Sequence, residues 1–124
     1  MRCLLLSINP EHVERILSHE KRFEFRKNRC KDDVERLIIY CTKPVKKVVG
    51  EARIVRVIVD TPEAVWSKTE HASGITEEFF DNYYSGRDLA VAYELSDVIE
   101  YDEPRELSDY GVSWPPQSYF YVDI

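Results

Sequence analysis

The segment 21–27 alternates between charged and aromatic side chains. Phe23 and Phe25 fall on one side of an extended backbone, whereas Glu24 and Arg26 fall on the other, because successive side chains of a strand point to opposite faces. This alternation predicts a β-strand that is buried on its aromatic face. The charged face has two interpretations: a solvated row of cross-strand ion pairs, which the charge pattern alone favours, or the lining of a polar site.

Five further segments are apolar or alternating runs of strand length, at residues 3–8, 37–41, 48–60, 89–101 and 119–124. Capping residues followed by apolar residues at helical spacing predict three helices, at 10–18, 61–68 and 76–85. Gly50 inside a β-run is expected to mark a bulge or a tight bend. These elements predict an α+β fold, a mixed β-barrel of about six strands with short helices packed around it. We expect a single domain over residues 1–124, because no linker or repeat interrupts the sequence.

The composition, with 44% hydrophobic and 32% charged residues, is that of an ordinary globular chain. No apolar run approaches the roughly 18 residues of a membrane span, so we expect no membrane association. Cys3, Cys30 and Cys41 are not spaced as a metal or redox pair, which favours reduced thiols and a cytoplasmic location. No histidine lies at zinc-ligand spacing from a cysteine, and no glycine-rich phosphate loop is present. The sequence therefore predicts no metal and no cofactor.

Charge is distributed unevenly along the chain. Residues 1–56 carry 14 Lys/Arg against 8 Asp/Glu, whereas residues 57–124 carry 3 against 15. The net charge of −6 argues against non-specific binding to polyanions. The uneven distribution nevertheless suggests one basic and one acidic face, with an acidic half that only maintains solubility as the equal alternative.

Lys21, Glu24 and Arg26 are the residues best suited to carry chemistry. A lysine or arginine holds a phosphate or carbonyl oxygen, and a carboxylate holds a base amino group or acts as a general base. Arg22 beside Lys21, and Arg26 facing it, are expected to lower the pKa of the lysine by like charge. The aromatic residues of the third predicted helix are expected to serve mostly as core, with stacking on bases as the alternative: Phe79, Phe80, Tyr83 and Tyr84.

The segment Ser18 to Arg26 resembles the signature of ASCH domains, Gly-x-Lys-x-x-Glu-x-Arg after a first helix. Lys21, Glu24 and Arg26 match the signature, whereas His19 stands where the family usually has glycine. Three other segments resemble the family's opening strand and helix cap, its central hairpin, and its C-terminal loop and last strand: 6–10, 43–51 and 114–119. The resemblance therefore spans nearly the whole chain.

The resemblance implies a PUA-like β-barrel whose cleft binds RNA or a nucleoside. The ligand-binding residues that it implies are Lys21, Glu24, Arg26, Lys43, Gln117 and Ser118. Some members resemble ribonucleases, and one bacterial branch removes the acetyl group from acetylated cytidine with a lysine, a threonine and a distant glutamate. Lys21 matches that lysine, Glu24 replaces the threonine, and the glutamate falls near Glu70.

Three functions stay open at this point. The first is a binding domain for RNA or a modified nucleoside, which the sequence favours because no complete set of nucleophile, base and orienting residue can be named. The second is a small hydrolase that acts on RNA or on acetylated cytidine, with Lys21 as activated amine or oxyanion stabiliser and Glu24 as proton shuttle. The third is a protein-interaction domain whose acidic half binds a basic partner.

Overall fold

The computed structural model describes residues 1–31 and 33–124. Within these residues lie six strands: β1 (Arg2–Ile8), β2 (Phe23–Arg26), β3 (Arg36–Cys41), β4 (Lys47–Asp60), β5 (Ala90–Arg105) and β6 (Phe120–Asp123). Three α-helices accompany them: α1 (Pro10–Leu17), α2 (Pro62–Thr69) and α3 (Glu77–Tyr83). Two short 3-10 helices lie at Glu70–Ala72 and Leu107–Tyr110. None of the helices in the described part of the chain has the length and apolar character needed to cross a membrane.

Helices α2 and α3 begin at threonine caps. The hydroxyl of Thr61 accepts a hydrogen bond from the Ala64 amide at 3.3 Å, and that of Thr76 accepts one from the Phe79 amide at 3.1 Å. These bonds satisfy backbone donors that have no partner within the first turn of a helix. Helix α1 instead begins with Pro10, whose fixed φ suits the first helical position. The three predicted helices are confirmed, with boundaries shifted by no more than two residues.

The six strands form one mixed sheet in the order β2-β5-β4-β3-β1-β6. The β1–β3 pair is parallel, whereas all other neighbours in this order are antiparallel. The predicted α+β class and six strands are therefore confirmed. Closure into a barrel is not confirmed, because the ladders between described residues end at β2 on one edge and β6 on the other.

Both faces of β1 are buried. Leu4 and Leu6 face a core shared with α1 and with β3, β4 and β5, whereas Cys3 and Leu5 face a second cluster covered by the 3-10 helix at Leu107–Tyr110. This double burial explains why β1 is a continuous apolar run rather than an alternating one. The three cysteines are buried free thiols, as expected.

Gly50 lies where the sheet bends. The pairing of β4 with β5 shifts register between Val48 and Gly50, so the predicted irregularity is confirmed. A Cβ atom at Gly50 would lie 2.5 Å from the carbonyl oxygen of Ile99, a separation that no side chain tolerates. Close approach of the β5 backbone therefore requires glycine at this position.

The turn between α1 and β2 contains His19 in the left-handed region, with φ of 68°. This conformation normally favours glycine at the end of a helix, which is the residue that ASCH domains usually have here. The amide of His19 donates to the Ile16 carbonyl at 3.0 Å, and that of Lys21 donates to the Arg15 carbonyl at 2.9 Å. The turn therefore keeps a glycine-type geometry with a strained histidine in it.

Replacing His19 with glycine is expected to stabilise the protein by roughly 1 kcal/mol, because the left-handed conformation costs an L-residue about that much. The free energy of unfolding, measured by urea denaturation, tests this expectation. His19→Ala is the control, since alanine keeps the strain and removes only the imidazole. Equal stability of the glycine and alanine variants would contradict the argument.

Candidate functional site

A cavity of about 160 Å³, with charged and apolar side chains in its wall, lies over the charged face of β2. Lys21, Glu24 and Arg26 all line it. The other residues of the wall come from β1, from the start of α1, from β2 and from α3 with the turn before it: Ser7, Ile8, Asn9, His12, Phe25, Ile75, Phe79 and Tyr83. The three charged residues of the signature segment therefore meet in one cavity.

Lys21 is held in place by the turn before α3. The residue is only 2% exposed, and its Nζ donates to the carbonyl oxygen of Ser73 at 2.9 Å. The Nζ atom also lies 4.6 Å from the centre of the Phe25 ring. Gly74, with φ of +69°, packs against the aliphatic stem so closely that a Cβ atom there would lie 2.4 Å from the Cβ of Lys21. The position of the ammonium group is therefore fixed by packing.

Burial lowers the pKa of Lys21 to about 8. Glu24 opposes this shift, whereas Arg15 and Arg26 add to it. The expected lowering is thus present, but its main cause is loss of hydration rather than like charge. Arg22, which was expected to contribute, is exposed to solvent and is not among the causes.

Glu24 and Arg26 form a partly buried ion pair. Glu24 is 6% exposed, and its Oε2 accepts from Arg26 Nε at 3.1 Å and lies 3.0 Å from Arg26 Nη2. Arg26 Nη2 also donates to the carbonyl oxygen of Ser7 at 2.8 Å. The interpretation of this strand face as a solvated row of ion pairs is therefore wrong, because α1 and α3 cover it.

His12 also lines the cavity, although it was not among the site residues predicted from the sequence. Its Nδ1 is buried and has no hydrogen-bond partner among the described residues. Its ring meets the edge of Phe79, with ring centres 5.4 Å apart. Burial lowers the pKa of this imidazole, and the nearby Lys21 lowers it further. The available signal was its position, next to Val13 and one turn before Ile16 on the buried face of α1.

The aromatic residues of α3 divide into two pairs. Phe80 and Tyr84 are buried in the core, and the Tyr84 hydroxyl lies 2.9 Å from the Arg26 carbonyl oxygen. Phe79 is 45% exposed and Tyr83 is half-buried, and both line the cavity. The core interpretation is therefore confirmed for the first pair, whereas the second pair forms an aromatic wall.

Gln117 and Ser118 line an adjoining cavity of about 200 Å³ rather than the first one. Arg26 and Tyr83 line both cavities and separate them. The loop that carries Gln117 is tied to β1, because the Ser7 hydroxyl donates to the carbonyl oxygen of Pro116 at 2.8 Å. Ser118 was predicted to share one cleft with Lys21, Glu24 and Arg26. It instead lies in the neighbouring cavity, which it shares with Arg26.

Two other residues considered from the sequence, Lys43 and Glu70, lie elsewhere, as does the exposed Trp114. Lys43 is exposed and lines neither cavity. Glu70 is exposed and lines a separate depression together with Arg15 and His71. Trp114 is 67% exposed and contributes to neither cavity wall. The described residues contain no cluster of three or more His, Cys, Asp or Glu suited to hold a metal ion.

The lowered pKa of Lys21 predicts a pH-dependent stability. Between pH 8 and the unfolded value of 10.5, the folded protein has released the lysine proton while the unfolded chain keeps it. Stability therefore rises with pH in this window, and the contribution of Lys21 increases by roughly 2 kcal/mol from pH 7 to about 9.5. Urea denaturation across this range should show the rise in the wild type and lack it in Lys21→Met.

Arg22→Met is the matched control, because it removes an exposed cation beside Lys21 and should keep the rise. The relevant quantity is the difference between the Lys21→Met and wild-type curves, which cancels the titration of tyrosines and cysteines. Parallel curves would mean that Lys21 titrates at an ordinary pKa in the folded protein.

Comparisons with known proteins agree with this architecture. The family model described as Domain of unknown function (DUF365) matches residues 3–113. The large ribosomal subunit protein uL22 of Ureaplasma parvum is 30% identical over 120 residues, which are 96% of this chain. The chain spans only 39% of that relative's length.

Two matches come from Zymomonas mobilis. A protein named ASCH domain-containing ribonuclease is 29% identical over 120 residues, covering 92% of this chain and 80% of that protein. The crystal structure of ASCH from the same species superposes with a TM-score of 0.88 at 27% identity, covering 98% of this chain and 87% of the other. The fold is that of an ASCH domain. The chain therefore belongs to the family described as Domain of unknown function (DUF365).

Proposed function

We propose that this domain binds single-stranded RNA and holds one nucleotide in the cavity lined by Lys21, Glu24 and Arg26. The observation that carries the proposal is a pair of cations, fixed by protein contacts, in a small cavity with an aromatic wall. The name ribonuclease, given to the Zymomonas relative, supports RNA as the ligand class.

The charges of the cavity suit a phosphate group. With a pKa of about 8, Lys21 is mostly protonated at pH 7, so the three charged residues together carry one net positive charge. Arg26 uses Nε and Nη2 to bind Glu24 and Ser7, whereas its Nη1 has no partner among the described residues. The Lys21 ammonium and Arg26 Nη1 can therefore donate to phosphate oxygens without breaking the contacts that fix the two side chains.

The remaining wall suits a base. Glu24 uses Oε2 for Arg26, and its Oε1 has no donor in the described part of the chain, so it can accept from a base amino group. Phe79 and Tyr83 offer ring surfaces on which an unstacked base can lie. The cavity volume is below the roughly 300 Å³ at which pockets begin to hold drug-sized ligands, so it fits the base or the phosphate of one nucleotide, with the rest of that nucleotide outside the cavity.

RNA binding is expected to be weak to moderate and to weaken as the salt concentration rises. Two phosphate contacts, one to Lys21 and one to Arg26, give a log–log slope of affinity against salt of about −1.4, since each contact on a single strand contributes about −0.7. Lys21→Ala and Arg26→Ala should each reduce the slope by about one contact. Glu24→Ala should change base preference instead, because a carboxylate cannot hold a phosphate. Titration of labelled single-stranded RNA across a salt series measures all three effects.

Lys43→Ala is the control for that series, because it removes an exposed lysine outside both cavities and should leave the slope nearly unchanged. If Lys43→Ala reduced the salt slope as much as Lys21→Ala does, the contact face would extend well beyond the cavity. No binding by the wild type, even at low salt, would remove the RNA proposal and favour the protein-interaction alternative.

RNA cleavage is a second candidate, favoured by the presence of His12 and Lys21 in one cavity with lowered pKa values. At pH 7 the imidazole is mostly neutral and the lysine mostly charged, which gives one base and one acid. His12 would accept the proton of the 2′-hydroxyl while the 2′-oxygen bonds to phosphorus. The bond from phosphorus to the 5′-oxygen breaks, Lys21 donates a proton to that oxygen, and a 2′,3′-cyclic phosphate results.

This chemistry predicts a bell-shaped dependence of the cleavage rate on pH. The rate rises with pH as His12 loses its proton at a pKa below 6.5, and it falls as Lys21 loses its proton near pH 8. Initial rates on a fluorogenic oligoribonucleotide measure the profile. His12→Ala should slow cleavage by roughly 10²-fold or more while RNA binding persists. A wild type that binds RNA but never cleaves it would leave only the binding function.

Deacetylation of acetylated cytidine receives less support from the geometry. Glu70, the residue near the family's distant glutamate, lies outside the cavity that Lys21 lines, and Glu24 is engaged by Arg26. The proton-shuttle role first considered for Glu24 is for the same reason better suited to His12.

A further inference from the structure

The two adjoining cavities have similar sizes and different chemistry. The first, of about 160 Å³, contains the buried Lys21 and Glu24, whereas the second, of about 200 Å³, contains the neutral polar side chains of Asn28, Gln117 and Ser118. Neither volume reaches the roughly 300 Å³ of a pocket for a drug-sized ligand. Each cavity therefore suits one small group, and the two together suit two linked groups.

The partition between the cavities is built from Arg26 and Tyr83, which line both. Arg26 is held by Glu24 Oε2 and by the Ser7 carbonyl oxygen, so its guanidinium cannot move away without breaking two partly buried hydrogen bonds. The Nζ atom of Lys27 lies 5.0 Å from the centre of the Tyr83 ring, which adds a second cation beside the partition. A fixed guanidinium between two small cavities is suited to a phosphate that connects their occupants.

The second cavity has the donors and acceptors needed to read a base edge. Gln117 lines this cavity with an exposed side chain, and its amide offers two donors and an acceptor. Asn28 accepts from Arg87 Nη2 at 3.3 Å through Oδ1, which leaves its amide nitrogen to donate. Side-chain amides recognise bases through paired hydrogen bonds to a base edge.

We propose that the two cavities are consecutive nucleotide subsites, so that the ligand is a dinucleotide step of single-stranded RNA whose linking phosphate lies on Arg26. A free nucleoside or mononucleotide would fill only one of them. This inference rests on the proposed function of the first cavity, and it extends that function by naming a substrate class and by assigning base selection in the second cavity to Gln117 and Asn28.

The test compares ribonucleoside monophosphates with the sixteen ribodinucleotides by calorimetric titration at low salt, with each ligand checked by mass spectrometry for integrity afterwards. The best dinucleotide should bind at least about tenfold more tightly than the best monophosphate, because the second nucleotide then binds at an effective concentration in the millimolar range. Gln117→Ala should reduce this ratio to below about threefold and weaken the preference for one base of the pair.

Asn82→Ala is the matched control, since it removes an exposed amide beside Tyr83 that lines neither cavity, and the ratio should stay at the wild-type value. Monophosphates that bind as tightly as dinucleotides, or a Gln117→Ala variant with an unchanged ratio, would overturn the two-subsite inference while the single-nucleotide function stands. Failure of both ligand classes to bind would instead overturn the proposed function itself.

Discussion

The contact between the Arg26 guanidinium and the Ser7 carbonyl oxygen joins two parts of the sheet that no described ladder joins. Three strands separate β2 from β1 in the sheet order, so a flat sheet would place them about 19 Å apart. The 2.8 Å hydrogen bond therefore requires a strongly curled sheet. The same Ser7 holds the loop at Pro116 through its hydroxyl, so one residue of β1 positions both cavities. The sheet edge is thus bridged by a side chain where a barrel would use backbone pairing.

That curl buries charge, and the chemistry of the site follows from the burial. Removing an ammonium group from water is unfavourable unless partners compensate, and Lys21 has the Ser73 carbonyl oxygen and the carboxylate of Glu24 nearby. The compensation is incomplete, so the pKa of the lysine falls to about 8. Burial lowers the pKa of His12 in the same way. Burying these groups lowers the stability of the folded protein. The same burial brings their pKa values closer to neutral pH, where they can exchange protons with a ligand.

The comparisons support the fold more widely than they support any one activity. At 29–30% identity the chain matches both a protein named ribonuclease and a much longer one named for the large ribosomal subunit, of which it spans 39%. A fold shared among proteins with such different names is a scaffold on which sites vary. The function of this chain therefore depends on its own side chains, above all on Lys21 and Arg26, whose positions are fixed by hydrogen bonds.

The sequence by itself determined the helices, the strands and the sharing of one face by Glu24 and Arg26, because caps and side-chain periodicity are local properties. The signature segment from Ser18 to Arg26 also indicated the resemblance to ASCH domains. Only the tertiary structure decided what covers that face, since the packing of α3 and the turn at Ser73–Gly74 depends on contacts some 50 residues away along the chain. For the same reason it alone revealed His12, placed Gln117 in a second cavity and left Lys43 outside. Side-chain periodicity predicts which residues share one face of a strand. The residues that pack over that face come from distant parts of the chain, so local sequence does not identify them.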